Sequence, residues 1–165
     1  GFAAAFSTLS ALTIGPAYVG YASFIHEPGS SARALNESDT PALQHLQDEC
    51  HPAEWDHGGS PIEHPCSGVF VDGRLASVAG YEIWNGTIAH ISIITHPDFR
   101  GRGYARDAVA HLATRALADG LLPQYRTLES NAPSIRVAQA LGFSHYASSV
   151  AVRFSADGKT QSPPR

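Results

Sequence analysis

Apolar runs near the start of the chain predict two short β-strands, residues 7–14 and 17–25. The dipeptide Gly15-Pro16 between them is a natural turn. Serine and threonine interrupt both runs and no basic segment precedes them, so neither a membrane-spanning helix nor a secretory signal is expected. The chain begins with glycine rather than methionine, which is compatible with a trimmed N-terminus. We expect residues 1–31 to form an N-terminal strand extension.

The next segment predicts a short strand and a helix, followed by a long polar loop. The strand is residues 32–35. Ser38 is a typical N-cap residue and Pro41 fits a first helical turn, so we expect a helix that runs to about Glu49. Residues 50–66 are rich in histidine, proline, glycine and acidic residues, which favours a loop with about one helical turn.

From residue 68 the pattern of apolar positions predicts a meander of three strands, residues 68–71, 75–84 and 88–95. The dipeptides Asp72-Gly73 and Asn85-Gly86 separate these strands. Both dipeptides are favoured in two-residue hairpin turns, because their residues adopt positive φ angles readily.

The second half of the chain alternates helices and strands. The predicted elements are a helix at 101–118, a strand at 125–129, a helix at 133–141 and a final strand or strand pair at 143–154. This order predicts an α/β domain with a mixed sheet over residues 32–154. The polar tail, residues 155–165, is expected to be disordered.

Composition narrows the possible classes of function. The chain has 165 residues, 43% of them apolar, and fits one domain with its own core. Its net charge of −4 argues against a nucleic-acid binder, which needs a basic face. Cys50 and Cys66 are too few for a disulfide framework, so we expect reduced thiols in a cytoplasmic protein.

A glycine-rich segment with two arginines, Arg100-Gly101-Arg102-Gly103-Tyr104-Ala105, lies between a predicted strand and a long predicted helix. Glycines allow close approach of a ligand, and the free N–H groups at a helix start suit a pyrophosphate. A dinucleotide fingerprint fails because Arg106 stands where the third glycine is required, and a P-loop fails because no Gly-Lys-Ser/Thr follows. A tight structural turn is the alternative.

The same segment resembles the R/Q-x-x-G-x-G/A signature of the GNAT superfamily of N-acetyltransferases. Residues 93–100 are similar to the family's strand and entry segment, and residues 131–134 and 141–143 to its second conserved block. The resemblance covers roughly residues 75–150. It implies a GNAT fold, a mixed and mostly antiparallel central sheet flanked by helices, here with the extra N-terminal strand pair.

The resemblance also implies a site for acetyl-CoA. The segment expected to cradle the pyrophosphate consists of Arg100, Gly101, Arg102, Gly103, Tyr104 and Ala105. The strand expected to pair with the pantetheine arm contributes the backbone of Ile93, Ile94 and Thr95. Asn131 and Ser134 are expected beside that arm. Without a cofactor, Asn131 is an ordinary helix N-cap and Ser134 an ordinary residue of a first helical turn.

Attack of an amine on a thioester requires a base. Many family members carry glutamate or histidine at the position of Ala89, and frequently a tyrosine acid at the position of Ala138. A two-residue turn in the second hairpin places Glu82 opposite Ala89, which makes Glu82 the first candidate base. An exposed strand glutamate is the alternative.

Two further residues are candidates for proton transfer. His90 titrates near neutral pH but is expected on the opposite face of the strand from Glu82. Tyr146 on the final strand could protonate the leaving thiolate, with a core or edge tyrosine as the alternative.

Histidine and cysteine residues cluster between residues 45 and 66, namely His45, Cys50, His51, His57, His64 and Cys66. Their spacing matches no standard zinc site, so no metal is predicted. In GNAT proteins this region usually lines the acceptor pocket. Glu54 is therefore expected to bind a cationic amine and Trp55 to contact it. A solvated acidic loop anchored by Trp55 is the alternative.

Together these features predict an acyltransferase that moves an acetyl group from acetyl-CoA to an amine, in a small molecule or a peptide, by direct transfer in a ternary complex. A non-catalytic module that binds CoA or another ligand is the first alternative, because both alanines replace expected catalytic residues. A metal-binding regulatory protein is the second. No nucleic acid or membrane partner is expected, and the protein is expected to be a monomer or homodimer.

Overall fold

The computed structural model describes residues 10–26, 31–58 and 65–155. The strands in these ranges are β1 (Ser10–Tyr21), β2 (Ala32–Ala34), β3 (Cys66–Val71), β4 (Arg74–Trp84), β5 (Ile88–Thr95), β6 (Leu122–Leu128) and β7 (Ser144–Ser155). The α-helices are α1 (Thr40–Glu49), α2 (Pro52–Gly58), α3 (Tyr104–Ala118) and α4 (Ala132–Ala140). Among the described helices, none has the length and apolar character needed to cross a membrane.

The seven described strands form one sheet in the order β2-β3-β4-β5-β6-β1-β7. Only β5 and β6 pair in parallel, and the other neighbours are antiparallel. Val109 of α3 packs with Ala79 on one face, whereas Leu46 of α1 packs with Val78 on the other. Because residues 78 and 79 are successive on β4, the two helices cover opposite faces. The predicted fold class, a mixed and mostly antiparallel sheet flanked by helices, is confirmed.

The predicted N-terminal strand pair is wrong, because residues 10–21 form the single strand β1. Gly15-Pro16 does not turn the chain but makes a bulge, where Ile14 pairs with Ala151 and Pro16 with Val150. The pairing of β1 with β6 begins only at the next residue, so the missing N–H of proline interrupts no pair on that side. β1 therefore lies inside the sheet, between β6 and β7.

The predicted register of the hairpin between β4 and β5 is wrong by one residue. Its loop has three residues rather than two, because Trp84 pairs with Ile88 and the N–H of Thr87 donates to the carbonyl of Trp84 at 3.1 Å. Glu82 consequently pairs with His90, and Ile83 rather than Glu82 lies opposite Ala89. A shift of one residue reverses the faces of a strand, so Glu82 and His90 share one face.

The start of the first helix also differs from the prediction. Ser38 lies in a 3₁₀ turn over Glu37–Asp39, and Asn36 is the residue that caps this turn. The Asn36 side chain accepts hydrogen bonds from the N–H and the hydroxyl of Ser38, and Asp39 accepts from the N–H of Asn36 in return. Helix α1 begins after this capping box, with proline in its first turn as predicted.

Parts of several sequence predictions lie outside the described residues. They are residues 7–9 of the first predicted strand, residues 27–30 of the predicted N-terminal extension, residues 59–64 of the predicted loop, which include His64, and residues 156–165 of the tail. The side chain of His57 also lies outside them. Residues 52–58 of the predicted loop form helix α2.

Candidate functional site

The two central strands β5 and β6 pair at one end and separate at the other. Their parallel pairing extends from Ile88 and Leu122 to Ile91 and Tyr125 and then stops. Beyond that point β5 continues along β4, and β6 continues along β1. The sheet therefore opens into a V between the ends of its two parallel strands.

Two clefts lie at this opening. The loop cleft, of about 540 Å³, is lined by residues 99–106, the start of α4 and part of β5. The strand cleft, of about 490 Å³, is lined by residues 90–95 of β5, residues 126–128 of β6 and residues of β1. The clefts form one continuous groove, because both are lined by Ile93, Thr95, Arg100, Asn131 and Ser134. Every residue predicted to bind the cofactor lines this groove.

The loop before α3 has the geometry of an anion cradle. Gly101 and Gly103 have φ angles of 74° and 85°, which an L-residue adopts only with strain. Gly103 is the N-cap of α3, so the unsatisfied N–H groups of the first turn follow it. A Cβ at Gly101 would meet no atom within 4 Å, and one at Gly103 only the Arg106 side chain at 3.9 Å. The space in front of both glycines is therefore open to a ligand.

Positive charge surrounds this space. Arg100, Arg102, Arg106 and Arg136 line the loop cleft, and no acidic residue among those described lines it. The guanidinium group of Arg102 lies 5.8 Å from the centre of the Phe99 ring, which supports the loop from below. The residues present thus fit a pyrophosphate in charge and in shape.

Glu54 and Arg100 form an ion pair across the mouth of the groove. The Nη2 atom of Arg100 donates to Oε2 of Glu54 at 2.8 Å, and its Nε atom donates to the carbonyl of Thr95 at 3.4 Å. Glu54 lines the strand cleft as expected for an acceptor-side residue, but its charge is balanced. Trp55 does not line either cleft and packs instead against the apolar cluster around Leu46.

Asn131 and Ser134 join α4 to the core of the groove. The Oδ1 atom of Asn131 accepts from the N–H of Ser134 at 3.3 Å, which makes Asn131 the N-cap of α4. The Ser134 hydroxyl lies 2.8 Å from the hydroxyl of Tyr125, a buried residue of β6. Burial raises the pKa of Tyr125 to about 12, although the hydrogen bond with Ser134 opposes the shift. Tyr125 therefore stays protonated at neutral pH.

His90 is held by neighbours on both sides. Its Nδ1 atom lies 2.8 Å from Oε1 of Gln124, and the Gln124 amide donates to the hydroxyl of Tyr21 at 2.6 Å. Because the Gln124 oxygen must accept, Nδ1 of His90 carries the proton and Nε2 carries the lone pair. Trp84 stacks on the imidazole ring with 3.9 Å between ring centres.

Burial lowers the pKa of His90, and the hydrogen bond with Gln124 opposes that shift only in part. Among the charges that act on it, Arg126 lowers the pKa further and Glu82 raises it. His90 is therefore neutral at physiological pH, with its basic nitrogen available in a residue that lines the strand cleft.

The other two proton-transfer candidates lie away from the groove. Glu82 is exposed, does not line either cleft, and accepts a hydrogen bond at 3.0 Å from Nε1 of Trp84. Tyr146 is 78% exposed and contacts Tyr21 edge-on, with 5.4 Å between ring centres. It does not line either cleft. Of the three predicted residues, only His90 lies in the groove.

Sequence reasoning missed, among others, Gln124, which contacts His90, and Tyr125, Arg126 and Arg136, which line the groove. The first three lie on β6. The alternation of apolar and polar residues along β6 can be seen in the sequence, but the pairing with β5 decides which of these residues lie on the same face as His90. Gln124 pairs with His90, so Gln124 and Arg126 share the face of His90. Arg136 lies one turn after Pro133 in α4 and would have been found from helical periodicity.

The predicted histidine and cysteine cluster is not assembled within the described residues. No group of three metal-ligating side chains occurs there. Cys50 and Cys66 are buried and form no disulfide among the described residues, and burial raises the pKa of both thiols.

Comparison with known proteins identifies the family of this chain. A family model, the acetyltransferase (GNAT) family, matches residues 33–143. A GNAT-family protein from Novosphingobium aromaticivorans is 27% identical with a TM-score of 0.67, over 87% of this chain and 66% of that one. This chain therefore spans slightly less than two thirds of that protein. No curated protein sequence matches.

Two more distant structures share the fold. An acetyltransferase of the GNAT family from Colwellia psychrerythraea is 16% identical with a TM-score of 0.68, over 93% of this chain and 60% of that one. An aminoglycoside N-acetyltransferase in complex with CoA is 22% identical with a TM-score of 0.50, over 69% of this chain and 91% of that one.

Proposed function

The chain belongs to the GNAT acetyltransferase family, and on that premise we propose that it transfers an acetyl group from acetyl-CoA to an amine. The observation that carries the proposal is the groove at the open V of the sheet. It joins a positively charged glycine loop at one end to a neutral, half-buried histidine at the other. A phosphate-bearing thioester and a nucleophile can therefore enter the same groove from two ends.

The loop cleft supplies the binding site for the acyl donor. The N–H groups that follow Gly101 and Gly103 would hold the pyrophosphate, and the surrounding arginines would balance its charge. Pairing between β5 and β6 ends at Ile91, so the backbone of Ile93 to Thr95 faces the opening and would bind the pantetheine arm. Asn131 and Ser134 would flank that arm, since both line the two clefts.

Bound acetyl-CoA supplies an activated acyl carbon and a thiolate that leaves readily at neutral pH. A backbone N–H of β5 near Ile93 or Ile94 would donate a hydrogen bond to the thioester oxygen as negative charge develops there. The transfer would be direct, in a ternary complex, because the two ends of the groove are continuous.

His90 is the proposed general base, in place of Glu82. Its Nε2 atom would take the proton that the attacking amine must lose, directly or through one water molecule. Gln124 would act as a positioning residue, because its hydrogen bond to Nδ1 keeps the lone pair on Nε2. Ala89, the position at which relatives often carry the base, is fully buried on the other face of β5.

The lowered pKa of His90 sets the expected pH dependence. A base acts when it is deprotonated, so kcat/KM should rise as pH increases through the pKa of His90 and level off above it. Because burial lowers that pKa, the plateau should be reached at a lower pH than it would be with an unperturbed histidine. A plateau reached only above pH 8 would contradict this assignment.

The test is CoA release from acetyl-CoA with a panel of primary amines, followed with a thiol reagent between pH 5 and pH 9. His90→Gln should lower kcat/KM by about 100-fold or more, since general bases contribute roughly 10² to 10⁴. Its affinity for CoA should stay normal. Glu82→Gln is the matched control, and it should keep the rate while shifting the midpoint slightly downward, because Glu82 raises the pKa of His90.

The same assay distinguishes an enzyme from a binding module. Tight binding of CoA without turnover of any amine by the wild-type protein would favour the non-catalytic alternative. Equal losses in Glu82→Gln and His90→Gln would reject the assignment of the base.

A further inference from the structure

The strand cleft carries a positive charge that the proposed transfer does not use. Arg126 on β6 lines this cleft but not the loop cleft. The charges of Glu54 and Arg100, the other ionised residues that line it, balance each other across 2.8 Å. Among the described residues, no hydrogen bond or ion pair engages the Arg126 side chain. A half-buried guanidinium with no partner favours an anionic ligand.

Arg126 lies on the acceptor side of the groove. Gln124 pairs with His90, and Arg126 is two residues further along the same strand, so it shares the face of His90. The two β6 positions are separated by about 7 Å at 3.3 Å per residue. His90 and Arg126 both line the strand cleft, so one small molecule in that cleft can contact both.

The donor does not account for this charge. Arg102 and Arg136, and Arg106 with its ion pair to Asp107, line the loop cleft, whereas Arg126 lines only the strand cleft. A cationic acceptor fits poorly as well, because Glu54, expected from the sequence to attract one, is already paired with Arg100.

We propose that the amine acceptor carries a carboxylate, which Arg126 binds while the amine faces Nε2 of His90. The acceptor is then an amino acid or a similar small aminocarboxylate, and its N-acetyl derivative is the product. The planar guanidinium group can donate two parallel hydrogen bonds to a carboxylate, which also fixes the orientation of the amine. This inference rests on the proposed acetyl transfer and defines its substrate class.

The first test compares amines that differ only in the carboxylate. The pairs are phenylalanine with phenethylamine, leucine with 3-methylbutylamine, and glutamate with 4-aminobutyrate, which retains one carboxylate. The wild-type protein should use the amino acid at least tenfold better, by kcat/KM, in one or both of the first two pairs. Better use of the decarboxylated amine in both, or preference for diamines such as putrescine, would overturn the proposal.

Arg126→Gln removes the charge and keeps a polar, though shorter, side chain. It should raise KM for the preferred amino acid by about 10- to 100-fold, the effect expected when a charge-assisted hydrogen-bonded pair is lost. Because Arg126 also lowers the pKa of His90, the comparison is made on the pH plateau, where the rate with the decarboxylated amine and the affinity for CoA should not change. Arg126→Lys should have a KM for the amino acid between those of the wild-type protein and Arg126→Gln, because lysine keeps the positive charge but cannot donate two parallel hydrogen bonds. Equal losses for both members of a pair would overturn the proposal.

A binding measurement separates this inference from the proposed function. The protein saturated with CoA is titrated calorimetrically with N-acetyl-phenylalanine, N-acetyl-leucine and N-acetyl-phenethylamine. An N-acetylamino acid should bind, and Arg126→Gln should weaken that binding. If CoA binds but neither N-acetylamino acid does, the carboxylate site is rejected while the donor site stands. If CoA does not bind, the proposed function itself fails.

Discussion

Replacement of Gly103 by alanine should change two quantities that can be measured separately, the stability of the fold and the affinity for CoA. Gly103 has a φ of 85°, so an alanine there is strained by about 1–2 kcal/mol. Its Cβ would meet only Arg106 at 3.9 Å, so no clash adds to this cost. For a chain of 165 residues, about 1 kcal/mol lowers Tm by roughly 2–4 °C.

The same methyl group would stand in the open space of the loop cleft. It would move a bound pyrophosphate away from the N–H groups at the start of α3. Loss of one charge-assisted hydrogen bond there costs roughly 1.5–3 kcal/mol, which weakens CoA binding by about 10- to 100-fold. Isothermal titration calorimetry with CoA measures this change.

Gly120→Ala is the matched control. Gly120 follows the other end of α3, has a φ of 77°, and a Cβ there would meet no atom within 4 Å. It should therefore lower Tm by a similar amount without changing the affinity for CoA. Equal affinities of the two variants, with equal losses of stability, would refute the reasoning that the loop holds the pyrophosphate.

Three further predictions concern stability and ionisation. Arg33 and the N–H of Asn36 lower the pKa of Asp39 from 3.8 to about 2, so Asp39 stabilises the fold above about pH 4 and loses this effect as pH falls towards 2. Asp39→Asn should lower the free energy of unfolding, measured in urea, by about 1–2 kcal/mol at pH 7 and by almost nothing near pH 2. The same loss at both pH values would contradict this prediction. Leu46 is 1% exposed, so Leu46→Ala should lower the free energy of unfolding by about 2–4 kcal/mol. A loss below 1 kcal/mol would mean that α1 does not pack against the sheet through Leu46 and Val78 as described. The phenol of Tyr125, whose pKa is raised to about 12, should not ionise below about pH 11, so Tyr125→Phe should leave the ultraviolet titration curve unchanged up to that pH.

Local signals in the sequence were sufficient for most elements of the fold. Turn dipeptides marked the meander of β3, β4 and β5, and the glycine loop marked the start of α3. These features depend on residues close in sequence, for which φ preferences and apolar periodicity are informative.

The errors arose where partners distant in sequence decide the structure. Gly15-Pro16 is a favourable turn in isolation. The backbone nevertheless stays extended there, because β1 pairs with β6 and β7, which lie more than 100 residues away in the sequence. The second hairpin has a three-residue loop in which Asn85 and Gly86 adopt positive φ, and the carbonyl of Thr87 accepts from the N–H of Leu122 in β6. This long-range contact could not be read from the hairpin sequence.

The hairpin register had the larger consequence for the site. A one-residue error placed Glu82 opposite Ala89, whereas the structure pairs Glu82 with His90. The position of the glycine loop before α3 was predicted from the sequence, because its motif is continuous in sequence. The strand cleft is formed by β5, β6 and β1, which are not consecutive in sequence. The positions of Gln124 and Arg126 beside His90 therefore could not be predicted without the strand order.

Hydrogen–deuterium exchange with and without acetyl-CoA measures binding at the groove itself, because backbone N–H groups are the proposed contacts. We expect slower exchange on acetyl-CoA binding in residues 93–106 and at the start of α4, with little change in β2, β3 and α1. Slower exchange confined to other segments, or no change at about 1 mM acetyl-CoA, would contradict the assignment of the groove as the acyl-donor site.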